Sequence, residues 1–79
     1  MIYVIKYFND ENQEILGNAK TPQRIIRDLK TIKGVEKRIS SQLSRFKESN
    51  IKYYNIYTCL NLYDENDYRL QRTIINYNI

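Results

Sequence analysis

The chain has 79 residues, a formal net charge of +4, one cysteine and no histidine. That length suits one domain, residues 1–79, and not two. The residue set excludes a His/Cys zinc site, a Ser-His or Cys-His catalytic pair and an intrachain disulfide, so no enzyme activity, metal or cofactor is expected.

Ile2 to Phe8 is β-branched and aromatic and predicts a strand. Asn9-Asp10-Glu11-Asn12 is a turn signal, because Asn and Asp make local side-chain bonds and tolerate left-handed backbone. A short second strand is expected at Gln13–Leu16, broken by Gly17-Asn18. Thr21-Pro22 has the chemistry of a helix start, and Ile25, Leu29 and Ile32 follow at helical spacing toward a stop at Gly34. Val35, Ile39, Leu43 and Phe46 mark a second helix that ends near Ser49-Asn50. Ile51–Tyr63 and Tyr68–Tyr77 read as two further strands joined by Asp64-Glu65-Asn66-Asp67.

The expected fold is therefore α+β, in the order ββααββ: a small antiparallel sheet of three to four strands with two short helices packed on one face. A core of this size supplies roughly 3–5 kcal/mol, so the helices must cover a sheet face. If the last hairpin closes symmetrically, Tyr63 pairs with Tyr68 and Cys59 with Arg72. Tyr54, Ile56, Thr58, Leu60 and Leu62 then form the core face opposite Tyr77, Ile75, Thr73, Gln71 and Arg69. The acidic-Asn tip at Asp10-Glu11-Asn12 is echoed at Asp64-Glu65-Asn66, which is ordinary turn chemistry.

Charge is segregated along the chain. Residues 20–52 carry ten basic and three acidic side chains, a net +7, and the remainder carries −3. A basic helical face attracts phosphate backbones through counterion release. The candidate nucleic-acid contacts are Arg24, Arg27, Lys30, Lys37, Arg38 and Arg45, with Ser41 and Gln42 able to bond phosphates or base edges. Gly34-Val35-Glu36-Lys37-Arg38-Ile39-Ser40-Ser41-Gln42-Leu43 resembles the turn and recognition helix of a helix-turn-helix, with the following hairpin as a wing. A winged-helix domain has a further helix before that pair, where this chain has a predicted strand pair.

Eight tyrosines form the second signal. Tyr53, Tyr57, Tyr63 and Tyr68, with the acidic tip Asp64, Glu65 and Asp67, compose a candidate protein interface, since tyrosine combines a broad apolar ring with a polar tip. Cys59 reads as a small half-buried strand residue. Ile, Lys, Asn, Tyr and Phe, the residues of A/T-rich codons, make up 38 of the 79 and point to a phage, plasmid or other mobile element of an A/T-rich genome. The expectation is a non-enzymatic binding protein in the bacterial cytoplasm, contacting DNA or RNA. The alternative is an inhibitor or adaptor of a host nucleic-acid-binding protein, of the anti-CRISPR kind. A homodimer through the strand edge or tyrosine face is a further possibility. No segment reads as a signal peptide or a membrane span.

Overall fold

The structure, a computed structural model, describes residues 1–16 and 20–77. Its elements in chain order are β1 (Ile2–Phe8), β2 (Ile25–Ile26), α1 (Ile32–Leu43), β3 (Tyr53–Cys59) and β4 (Arg69–Ile75). Ser44–Ser49 continues α1 in 3-10 form, and Glu65–Asp67 is a single 3-10 turn. The result is a small α+β fold, a four-stranded antiparallel sheet in the order β2-β1-β3-β4 with one α-helix.

The first expected helix is absent. Residues 20–31 form an irregular segment that lays Ile25 and Ile26 beside Val4 and Tyr3 of β1. Thr21 and Pro22, read as a helix start, are instead buried. The β-branched Ile25-Ile26 pair fits a sheet edge better than a helix interior. The true helix start is Thr31, whose Oγ1 accepts from Gly34 N at 3.0 Å. Gly34 therefore lies in the first turn of α1 and does not end a helix. A Cβ there would stand 3.1 Å from Thr31 Oγ1, so glycine leaves room for the cap. With one α-helix there is no helix-turn-helix among the described residues.

The expected strand at Gln13–Leu16 is reduced to a single bridge between Glu14 and Phe8, with Ile15 N donating to Tyr7 O at 2.8 Å. The expected break at Gly17-Asn18 lies outside the described residues. The turn before it forms as its chemistry predicts: Asn9 Oδ1 accepts from Glu11 N and Gln13 N, and Asn12 is left-handed at φ 63°. Asn50 ends the 3-10 extension of α1 in the same conformation, at φ 58°.

Val35, Ile39 and Leu43 of α1 pack against Tyr3, Ile5 and Tyr7 of β1, Ile26 of β2, and Tyr54 and Ile56 of β3. Their spacing of four places all three on one helical stripe. Two wholly buried phenols keep partners: Tyr7 donates to Gln23 O at 2.6 Å, and Tyr54 lies 3.4 Å from Ser40 Oγ. Burial pushes both hydroxyls above the usual tyrosine range, so both stay protonated.

The expected core face of β3 (Tyr54, Ile56, Thr58) is buried, but the pairing with β4 differs. Tyr54 pairs with Ile74 and Ile56 with Arg72, and the register then shifts so that Tyr57 pairs with Leu70, which leaves Gln71 as an extra residue in β4. The expected Tyr63–Tyr68 and Cys59–Arg72 pairs do not form. The strands stop at Cys59 and Arg69, and residues 60–68 make a structured loop in place of a tight turn. Ile74 and Arg72 consequently face α1, and Thr73 and Ile75 face the other way. Leu60 leaves the core and is exposed.

Candidate functional site

Successive residues of α1 are about 100° apart around its axis, so the Val35/Ile39/Leu43 stripe sends Lys33, Lys37 and Ser41 to the opposite side. Arg27 and Lys30 precede this crest, and Arg45 and Lys47 follow it. All six of these cations are exposed, and none has an ion pair among the described residues.

Two of the acids beside the crest, Asp28 and Glu36, are already engaged. Arg38 donates two hydrogen bonds to Asp28, both 2.8 Å, in a bidentate pair. The guanidinium holds the Asp28 carboxyl below its usual range. Arg72 of β4 donates to Glu36 at 2.7 Å. Lys33, Glu36, Lys37, Ser40 and Arg72 line a shallow depression of about 390 Å³ between α1 and β4. The cations outnumber the acids there, and its one carboxylate is shared with Arg72.

The eight residues expected to contact nucleic acid divide into two groups. Arg27, Lys30, Lys37 and Arg45 are exposed, and Lys37 stands on the outer side of α1. The other four make bonds within the chain. Arg24 donates from Nε to Thr21 Oγ1 at 3.0 Å and from Nη2 to Ile15 O at 2.5 Å, with Glu14 3.9 Å away. Arg38 holds Asp28, Ser41 Oγ donates to Arg38 O at 2.8 Å, and Gln42 Oε1 accepts from Gln23 N at 3.2 Å. Lys33 also belongs to the crest, which the sequence pattern does not reveal. A helix end at Gly34 would separate Lys33 from Lys37, whereas the two stand four residues apart on one helix.

The sheet face away from α1 gathers Tyr53, Asn55 and Tyr57, as their alternation predicts. Phe8 and Tyr53 stack at 4.9 Å and 11°. Lys6 lies between two rings, 5.6 Å from the Tyr57 centroid and 5.5 Å from that of Tyr68, and its ammonium is 3.7 Å from Glu65. Tyr68 also donates to Leu62 O at 2.6 Å. The β3–β4 loop therefore folds back over this face.

The acids of that loop build it. Asp67 Oδ2 accepts from Leu60 N at 2.6 Å and Asn61 N at 2.8 Å, and these bonds hold its carboxyl below the usual range. Asp64 Oδ1 accepts from Asn66 N at 3.0 Å. Two apolar side chains project from the same loop, Leu60 at 80% and Tyr63 at 93% exposure. Cys59 is buried, and burial raises its thiol above the usual range, away from a reactive thiolate.

No family model, curated protein or solved structure matches the chain. Among the described residues no group of three or more His, Cys, Asp or Glu side chains is placed to hold a metal ion, and no helix is long and apolar enough to cross a membrane.

Proposed function

We propose that this protein is a non-enzymatic binding protein that holds the phosphate backbone of a nucleic acid on the outer crest of α1. The observation that carries this reading is the imbalance of charge there. Among the described residues, Lys33, Lys37 and Arg45 project without acidic partners, while Asp28 and Glu36 are tied to Arg38 and Arg72. A phosphate arriving at the crest meets cations that these carboxylates do not hold in place, so it displaces only solvent and counterions. Arg38 acts in this reading by removing the charge of Asp28 from the site.

The test is an electrophoretic shift with duplex DNA, single-stranded DNA and RNA at two salt concentrations. Affinity for at least one of them is expected to fall steeply with salt. The triple change Lys33→Ala, Lys37→Ala, Arg45→Ala is expected to weaken binding and to flatten the log–log salt slope by about one for each phosphate that is no longer neutralised. Salt-independent binding, or binding indifferent to the triple change, overturns the reading.

Leu60 and Tyr63 favour a second reading, docking on a host nucleic-acid-binding protein, because large apolar side chains this exposed at a loop tip suit a protein contact. Pull-down from host lysate separates the two. Retention of a protein after nuclease treatment, abolished by Tyr63→Ala, supports the second reading. Recovery of nuclease-sensitive material alone supports the first.

A further inference from the structure

A groove of about 470 Å³ lies between residues 21–25 and the last turn of α1 with its 3-10 extension. That volume falls within the range of small-ligand sites. Pro22, Ile25 and Phe46 supply its apolar lining, and Arg24, Gln42 and Arg45 are among its polar groups. No acidic side chain lines it, whereas the depression between α1 and β4 contains Glu36.

The fold fixes some of these groups and leaves others open. Gln23 N donates to Gln42 at 3.2 Å, so the amide oxygen of Gln42 must face it. The amide nitrogen of Gln42 keeps its hydrogens without a partner among the described residues. Arg24 is held by Thr21 Oγ1 and Ile15 O, with Glu14 3.9 Å away. Arg45 makes neither an ion pair nor a hydrogen bond among the described residues. The helical path breaks at Phe46 (φ −124°, ψ 32°), which packs against the core and also lines the groove. Ile25 stays 39% exposed although it belongs to β2.

An aromatic ring, an apolar wall, open amide donors and an unpaired cation are the groups that receive an unstacked base. We propose that this groove takes an unpaired nucleobase, so that the strand held on the crest of α1 is single-stranded. The proposal rests on the reading of the crest as a phosphate-binding surface. Lys33 and Lys37 stand one turn apart, and Arg45 follows beyond the end of α1 and lines the groove. A strand laid along these cations brings a base to the groove where the helix ends. There the amide of Gln42 donates to acceptors on the base edge, and Arg45 meets the adjoining phosphate. The bases of a duplex are stacked and paired and do not reach such a site. Two arginines without an acid select a polyanion over a basic peptide as the occupant.

Fluorescence anisotropy at low salt is the test. The probes are an oligothymidylate of about ten nucleotides, the same backbone with its bases removed, and the duplex form of the first. Oligouridylate repeats the comparison on a ribose backbone, and the sugar that shows the gain identifies the strand. The base-bearing single strand is expected to bind about tenfold more tightly than the abasic strand or the duplex, with the salt slope of the abasic strand. Phe46→Leu keeps apolar bulk and removes the ring. It is expected to bring the base-bearing strand down to the abasic level and to leave the abasic strand unchanged, while Phe46→Tyr keeps the difference. With both sugars, an abasic strand or a duplex bound as tightly as the base-bearing strand overturns the proposal and leaves the crest reading standing. A difference that survives Phe46→Leu does the same. Absence of binding to every probe overturns both.

Discussion

On the α1 side of the sheet, Ile5, Tyr7, Tyr54 and Ile56 meet Val35, Ile39 and Leu43, all of them buried. On the other side, the cover is a loop whose grip rests on Lys6 between Tyr57 and Tyr68 and on Asp67 bonded to two backbone amides. The first face uses non-directional apolar burial, which scales with area and gains from every methylene. The second uses a few directional contacts to polar and charged groups, each modest, of which the Asp67 tie is sensitive to pH. Among the described residues, one α-helix covers the first face and one loop covers part of the second. The stronger chemistry lies where the helix is, and the adjustable chemistry lies where the loop is.

The sharpest way to break this contrast is Ile39→Ala, which empties a wholly buried position on the central stripe of α1. The expected loss is about 2–5 kcal/mol, close to the whole stability of a domain this size, read by urea unfolding. A loss under about 1 kcal/mol would show that α1 is not the main cover.

Asp67→Asn addresses the loop through pH. The folded carboxyl titrates below its unfolded value, so its bonds stabilise the fold above the ordinary carboxylate range and lose that effect as pH falls through the folded value. Between about pH 7 and about pH 3 the wild type is expected to lose more stability than the Asn variant in parallel urea titrations. Equal losses would mean that Asp67 is not the acid-sensitive tie.

The smallest effect belongs to Lys6→Met, which keeps the apolar stem and removes the ammonium from between the rings. The expected cost is about 0.5–1 kcal/mol, with a matching drop in the salt sensitivity of the melting temperature. A stabilised variant would show that the two rings prefer an uncharged neighbour.

Much of this fold is legible in the residues. Ile2–Phe8, the stripe Val35/Ile39/Leu43 and the alternation Tyr54/Ile56/Thr58 each carry a period that one kind of element satisfies. Misreading enters where one signal fits two structures. Thr21-Pro22 has the chemistry of a helix cap, and Ile25, Leu29 and Ile32 have helical spacing. The competing demand is long-range: β1 needs a strand on its free flank, and Ile25-Ile26 supplies it. The β4 register is hidden for a different reason. The nine-residue loop (60–68) and a single bulge at Gln71 reverse the inside–outside assignment from Arg72 to Ile75 while leaving Arg69 and Leu70 on the faces their alternation gives, and neither leaves a period to read. The basic crest is visible as a run of charge. Which of its cations are held by carboxylates is not, because Asp28–Arg38 and Glu36–Arg72 pair residues 10 and 36 positions apart.

The position of β1 between β2 and β3 also bears on how the chain comes to fold. β1 is the first of these strands to leave the ribosome, yet its principal partner is Tyr53–Cys59, some fifty residues later. Its early neighbour, Ile25–Ile26, offers only a two-residue ladder. α1 is complete before β3 exists but has only part of its sheet to dock on. Closing so long a loop costs entropy before any pairing repays it, so folding is expected to be late, concerted and slower than in a helical chain of equal length. Until β3 emerges, the flank of Ile-Tyr-Val-Ile that β3 will occupy stands open, and the interval is set by the rate of translation.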